Sequence, residues 1–356
     1  MIKNRIENIR VKLPANSVAL FTNEADCFYL SGFNKSEGMV LITENSACLF
    51  VDFRYIEAAK AACKDMDVKL TGAFLKDIYE VLKNENIKTV FIEGDSVTVK
   101  EAETIKSVFS GIEVSTELGI DKIVRDMRAV KDEGEISLIK SAQAITDRAF
   151  SYIQTKIAVG KTEREIALDL EFFMRGEGSE GVAFDTIAVS GKNSSKPHGI
   201  PGDKKIAEGD FLTLDFGAVV GGYRSDMTRT VAIGTPSDKT LTVYNTVLKA
   251  QTEAIKAIKP GISCFDVDKV ARDIINGAGF EGCFGHGLGH SVGIDIHENP
   301  SFNTRCKDLT KPGMVITVEP GIYLENEFGV RIEDMIVVTE NGCEVLTKSD
   351  KKLIIL

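Results

Sequence analysis

The chain predicts an α+β fold in two parts: a smaller α/β domain over residues 1–122 and a larger domain over 123–356. The larger one reads as two αβ halves related by a pseudo-twofold axis. Three observations carry this. Strand-period and helix-period apolar runs alternate through the first third of the chain. The remainder repeats one pattern, a long helix, a capped helix and a hairpin bearing two acids, with equivalent points about 100 residues apart, too long a period for a solenoid. The four histidines, His198, His286, His290 and His297, fall in one window flanked by the hairpin acids Asp215, Asp226, Glu319 and Glu333.

In the first part, residues 17–23 are apolar and β-rich. Residues 38–52 read as a hairpin around Glu44-Asn45-Ser46. Ile, Ala, Leu and Val recur at helical spacing over 55–64 and 74–87. A short buried strand over 89–93, a helix over 99–109 and a strand over 112–115 complete the domain. It holds no histidine and no carboxylate cluster, so its expected role is scaffold, oligomer contact or pocket rim.

The charged run Arg125-Asp126-Met127-Arg128-Ala129-Val130-Lys131-Asp132-Glu133 marks the boundary. An amphipathic helix over 133–156 follows. Thr162-Glu163-Arg164-Glu165 is a capping box: the Thr162 side chain accepts from a free backbone N–H while Glu165 reaches back to the Thr162 N–H. That helix runs to about residue 175. In the second half a helix over 241–258 precedes one capped at Ser263, with Asp266 three residues on.

The hairpins fix the acids by register. Residues 211–217 and 223–233 read as strands around Val220-Gly221-Gly222. With the turn centred between Val220 and Gly221, Asp215 opposes Asp226. With Gly221-Gly222 as the loop, the two are diagonal neighbours. Both options put the carboxylates on one face. Residues 314–319 and 330–338 form the second pair, and a three-residue loop centred on Asn326 opposes Glu319 to Glu333. Buried acid pairs of this kind are costly unless a cation holds them. Four carboxylates and one imidazole make an oxygen-rich donor set. It suits a pair of hard or borderline divalent cations better than one tetrahedral zinc. A dinuclear metal hydrolase is the reading that results.

Composition excludes several other classes. The formal charge is −10, from 43 Lys+Arg against 53 Asp+Glu, with no basic cluster to track phosphates, so no nucleic-acid partner is expected. No apolar run approaches a membrane span, and the first residues carry no secretory signal pattern. Seven cysteines without a C-x-x-C pair suit a reduced, cytoplasmic protein. The glycine-rich stretch 285–293 carries His286 and His290 but fits neither phosphate-loop pattern. Its glycines instead let backbone pass close to a metal or substrate.

These residues carry a family resemblance. The chain resembles the metallopeptidases of the pita-bread fold, and within them the Xaa-Pro peptidases: aminopeptidase P and prolidase, with creatinase as a relative. The likeness covers nearly the whole chain, with a creatinase-like N-terminal domain ahead of the pita-bread domain. By that resemblance Asp215, Asp226, His290, Glu319 and Glu333 hold two divalent ions, Asp226 and Glu333 bridging. Manganese is expected, with cobalt, iron or zinc as alternatives. His198 falls where the family shuttles a proton. His297 falls where it holds the substrate carbonyl and the proline side. Glu319 takes the water's proton as well as binding metal. His286, expected one helical turn before His290, matches a substrate-site position, as do Tyr323 and Arg331. A homodimer is implied, with the N-terminal domain contributing to the interface.

Three functional readings follow. The first is an Xaa-Pro aminopeptidase, acting on peptides with proline second. The second is a prolidase, cleaving only Xaa-Pro dipeptides. It must grip the free proline carboxylate, and prolidases commonly carry an arginine shortly after the histidine matching His297. This chain has Ser301 there, which places the aminopeptidase first, although Arg331 or Arg305 could serve instead. The third is a non-catalytic peptide-binding module, which such folds become by losing ligands. All five are present here. A methionine aminopeptidase would share the ligands without needing the N-terminal domain.

Overall fold

The computed structural model describes residues 2–34 and 37–356. The chain divides into two compact units, Met1–Arg128 and Ala129–Leu356. The first contains α1 (Ile2–Arg10), β1 (Ser17–Phe21), α2 (Glu24–Ser31), β2 (Met39–Ile42), β3 (Ala47–Val51) and α3 (Ile56–Ala62). β4 (Asp67–Leu70), α4 (Phe74–Asn84), β5 (Thr89–Ile92), α5 (Val99–Val108) and β6 (Glu113–Ser115) follow, and α6 (Ile120–Ala129) spans the division. The strands form one sheet in the order β4-β3-β2-β1-β5-β6. The β2–β3 hairpin is antiparallel around the expected turn, while β5 and β6 run parallel to β1. Val18, Leu20, Phe50, Ile78, Leu82, Val90 and Phe109 form its core.

Besides α6, three elements here had no expectation. α1 buries only Ile6 and Ile9, too thin a stripe to read as a helical period. α2 is capped by Asn23, whose side chain accepts from Ala25 N and Asp26 N, and ends at Gly32 with φ 74°. β4 is a mostly exposed edge strand without alternation.

The second unit opens with α7 (Glu133–Gln154) and α8 (Glu163–Gly176), which pack together. The Thr162–Glu165 capping box is present, and Asp132 with Glu135 forms a second one. β7 (Ile187–Ser190), a 3-10 turn over Gly191–Ser195, β8 (Phe211–Phe216), β9 (Val219–Val220), β10 (Tyr223–Arg224) and β11 (Met227–Ala232) complete the first half. The second half repeats it: α9 (Asp238–Ala257), α10 (Cys264–Gly277), β12 (Gly289–Ser291), β13 (Glu298–Phe302), β14 (Val315–Val318), β15 (Gly321–Leu324), β16 (Phe328–Arg331), β17 (Asp334–Val338) and β18 (Cys343–Val345). The sheets run β11-β8-β7 and β13-β12-β14-β17-β18, so β8 and β14 are equivalent inner strands. The isolated bridges Thr162↔Lys205 and Ser263↔Leu309 stand at matching points of the two halves.

Two sequence expectations need correction. The Ser263 side chain makes no capping bond. Backbone does that work, with Cys264 N donating to Asp308 O at 2.9 Å and Asp266 N to Ser263 O at 3.0 Å. His286 does not lie one helical turn before His290. It sits in a loop, and His290 lies on β12 beside a β-bulge.

Hydrogen bonds across the interface join the two halves. Glu333 N donates to Thr228 O at 3.1 Å, and Thr230 Oγ1 donates to Arg331 O at 2.9 Å. The fully buried Arg229 guanidinium reaches Thr228 O, Glu333 O, Asp334 Oδ1 and Ser349 O. The strand ends that carry the acids are thereby held against one another.

Candidate metal centre

Both hairpins adopt a register read from their turns. Tyr223 pairs with Val220 across Gly221-Gly222, and Thr228 pairs with Asp215, so Asp215 and Asp226 are diagonal neighbours on one face. In the second hairpin Val318 pairs with Asp334 and Gly321 with Arg331, which sets Glu319 opposite Glu333. Leu324 pairs with Phe328 around a loop whose Asn326 has φ 59°.

The strands are not continuous through these acids. The ladder breaks at Ser225-Asp226, at Glu319-Pro320 and at Ile332-Glu333, so three of the four carboxylates sit at interruptions. Pro320 has no N–H to give the ladder. A Cβ on Gly217 would stand 1.9 Å from Ser225 O, so only glycine permits that carbonyl to fold in beside the Asp226 break. Gly289, next to His290, meets Thr317 O in the same way at 2.0 Å.

The carboxylates converge in a cavity of about 1090 Å³. Asp226, His290 and Glu333 each place a donor atom within 4.8 Å of the others. Glu319 Oε1 lies 3.4 Å from His290 Nε2, and Asp226 Oδ2 lies 3.6 Å from it. Asp215 lines the same cavity, with Oδ2 accepting from Arg331 Nη2 at 2.5 Å. All five expected donors therefore come together.

Two observations show that this set fits divalent cations. First, Asp215 Oδ1 and Glu333 Oε1 are buried without a hydrogen-bond partner among the described residues, a costly state for ionised acids. Second, the imidazole points the wrong atom at them. His290 Nδ1 lies 3.2 Å from Ser291 O, which can only accept, so Nδ1 carries the proton. Burial first, then His297, lowers the His290 pKa to about 4, so the ring is neutral. Its Nε2 lone pair thus faces two carboxylate oxygens at distances too long for hydrogen bonds. Ligands about 2.1 Å from a shared ion stand about 3.0–3.5 Å apart; Glu319 Oε1 falls in that range at 3.4 Å and Asp226 Oδ2 just beyond it at 3.6 Å.

The electrostatics agree. Burial, then Glu333, Asp215 and Glu319, pushes the Asp226 carboxyl well above the usual range. Burial pushes Glu319 up to about 8, Arg331 opposing and Asp215 adding. Glu333 is raised by burial, then by Glu319 and Asp215. A bound cation reverses each of these shifts.

The remaining expected residues line the same cavity or join its wall. Arg331 Nη1 donates to Tyr323 Oη at 2.8 Å, and that hydroxyl lies 2.9 Å from His286 Nε2. His286 Nδ1 lies 2.8 Å from Gly287 O, so Nδ1–H donates there and Nε2 accepts from Tyr323. Burial, then Arg331, lowers His286 to about 4, which makes it a neutral relay beside the donor set. The His297 ring meets the His290 ring edge-on at 4.4 Å. Burial, then His198, lowers its pKa. His198 is exposed on the cavity wall.

Several contributors escaped the sequence reading. Thr228 Oγ1 donates to Glu333 Oε2 at 2.7 Å and accepts from Arg331 Nε at 3.0 Å. Thr317 Oγ1 accepts from His290 N at 3.0 Å and donates to Glu319 Oε1 at 3.2 Å. Lys131 Nζ and Glu298 Oε2 form a buried pair at 3.0 Å, and Glu298 Oε1 accepts from Asp295 N, holding the loop that carries His297. The i,i+4 pair Asp268–Arg272 was the one such contact with a visible spacing signal.

Comparison with known proteins agrees with this geometry. Residues 137–340 match metallopeptidase family M24, and residues 5–130 match the creatinase/prolidase N-terminal domain. An Xaa-Pro dipeptidase of Pyrococcus furiosus is 38% identical over 356 residues, covering 99% of this chain and 100% of that one. The structure of an Xaa-Pro dipeptidase from Bacillus anthracis superposes with a TM-score of 0.95 at 38% identity, covering both chains fully (100%). That of an X-Pro aminopeptidase from Thermotoga maritima gives 0.90 at 41% identity, over 96% of this chain and 97% of that one. The α+β chain belongs to metallopeptidase family M24, with a creatinase/prolidase-type N-terminal domain ahead of its pita-bread catalytic domain.

Proposed function

We propose that this metallopeptidase is an Xaa-Pro dipeptidase, a prolidase, working with two divalent ions. The observation that carries the hydrolytic reading is the buried donor set Asp215, Asp226, His290, Glu319 and Glu333, with orphaned carboxylate oxygens and a neutral imidazole facing acids. Substrate class rests on the relatives. The sequence put the aminopeptidase first because Ser301 replaces an arginine. Relatives named Xaa-Pro dipeptidase, matched over the whole chain, support the dipeptidase at least as well, and the order is reversed here. The Thermotoga maritima likeness keeps the aminopeptidase as the second reading.

Cations bound at the five donors would polarise the scissile carbonyl and lower the pKa of water. The protein's own residues do the rest. Glu319 accepts the proton of the attacking water. His297 donates to the carbonyl oxygen from the cavity wall. The proline nitrogen is tertiary and must be protonated to leave, which His198 supplies from the open side. His286, Tyr323 and Arg331 form a hydrogen-bonded wall that orients the proline side and holds Asp215.

Manganese belongs to the proposal on donor chemistry, since oxygen-dominated sets suit it. A second copy of the chain as partner rests on the resemblance alone. A cytoplasmic setting is supported by seven free cysteines. No helix among the described residues is long and apolar enough to cross a membrane.

Hydrolysis of Gly-Pro and Arg-Pro-Pro in parallel, with manganese and with a chelator, tests the reading. Metal-dependent cleavage of the dipeptide alone is expected. Cleavage of the tripeptide with poor dipeptide turnover would establish the aminopeptidase, and no metal-dependent cleavage of either would overturn both.

A further inference from the structure

A dipeptidase must hold a free carboxylate, and the two cations that would neutralise the four acids of the cavity floor are committed to those acids and to the scissile carbonyl. The anion therefore needs a cation on the wall. Three arginines and no lysine line the cavity: Arg272, Arg305 and Arg331.

Two of them are fully engaged. The Arg272 guanidinium makes a bidentate pair with the buried Asp268 at 2.8 and 2.9 Å. It also donates to Phe284 O and His286 O, and stacks over the Phe284 ring. Arg331 donates to Thr228 Oγ1, Pro197 O, Tyr323 Oη and Asp215 Oδ2. Turning Arg272 toward a substrate would strand the buried Asp268, and turning Arg331 would give up all four of its hydrogen bonds.

Arg305 is different. It lines the cavity and is exposed, and among the described residues its guanidinium has no hydrogen-bond or ion-pair partner. Its backbone is nevertheless fixed. Phe302 is fully buried before it, and Asn303 Oδ1 accepts from Arg305 N at 2.8 Å and Cys306 N at 2.9 Å. Cys306 packs onto the core after it. The segment leaves β13 just past Ser301, which pairs with His290 across the sheet. An arginine held on a rigid turn at the wall, with its planar fork uncommitted, matches bidentate carboxylate recognition.

We infer that Arg305 is the specificity-determining residue that grips the free C-terminal carboxylate of the substrate, in place of the arginine absent at Ser301. This rests on the dipeptidase reading. A charge-assisted hydrogen bond of this kind corresponds to about 10- to 100-fold in binding.

The test compares wild type, Arg305→Ala and Arg305→Lys on Ala-Pro and on its C-terminal amide, with manganese present. Wild type is expected to favour the acid over the amide. Arg305→Ala should raise KM for Ala-Pro by about tenfold or more, with kcat nearly kept, and should erase the acid-over-amide preference. Arg305→Lys should restore part of it. A parallel change on acid and amide, or no change on either, overturns the anchor while the dipeptidase reading stands on the wild-type rate. Wild-type turnover of the amide without preference for the acid overturns both.

Discussion

Removal of divalent cations should make the larger unit less stable as pH rises. Glu319, near 4.5 in an unfolded chain, stands at about 8 in the cation-free fold, chiefly from burial. An acid with a raised folded-state pKa binds its proton more tightly folded than unfolded. Its neutral form is the favoured one, so stability is intact below about pH 4.5, is lost as pH climbs to about 8, and is constant above. At pH 7 the loss from Glu319 alone is about 3 kcal/mol. Asp226 and Glu333 are shifted the same way and add to it. His290 and His286, lowered to about 4, act oppositely: their cost appears as pH falls from 6.5 toward 4. The cation-bound minus chelated difference isolates the acids, because bound cations keep them ionised and compete with protons. For a domain of this size 1 kcal/mol moves Tm by about 2–4 °C, so Glu319 alone contributes about 6–12 °C. Scanning calorimetry with excess manganese and with chelator, in steps from about pH 5 to about pH 8, reads it. The difference in Tm should be small at the acid end and grow with pH. A difference that is flat, or largest at the acid end, would refute the reasoning.

Tyr323→Phe deletes the hydroxyl between Arg331 and His286 and should cost about 1–3 kcal/mol of transition-state stabilisation. Steady-state kinetics should show kcat/KM down about 10- to 100-fold with metal content unchanged. His198→Ala should cut turnover while metal content, read by mass spectrometry, is retained, since His198 is exposed on the cavity wall and is not one of the five donors. Arg229→Met strips the buried Asp334 of its guanidinium partner at 2.7 Å, leaving Lys351 and Gln251. Urea unfolding should show a loss of about 3–5 kcal/mol; a loss under 1 kcal/mol would mean that Lys351 and Gln251 suffice.

What the sequence made legible was governed by short loops. Gly221-Gly222 and the turn at Asn326 set the register of each hairpin, and register alone places Asp215 beside Asp226 and Glu319 across from Glu333. The helix pairs were legible through their spacing and the Thr162 capping box. The missed parts depend on distant residues. The ladder breaks that turn the acids inward depend on close approaches such as Gly217 to Ser225 and Gly289 to Thr317. Arg331 reaches Asp215 across 116 positions, and Thr228 reaches Glu333 across 105. No local pattern encodes such pairings. Ser263 shows the converse: a good capping residue whose side chain goes unused because a backbone partner at Asp308 is already there.

The central claim is that five side chains from two hairpins and one glycine-rich strand hold a pair of cations. Metal content of the manganese-loaded protein, measured by inductively coupled plasma mass spectrometry on wild type, Asp226→Ala and Glu333→Ala, tests it most directly. Two ions per chain in wild type, falling sharply in both variants together with activity, is the predicted result. Metal content unchanged in both variants would contradict the account.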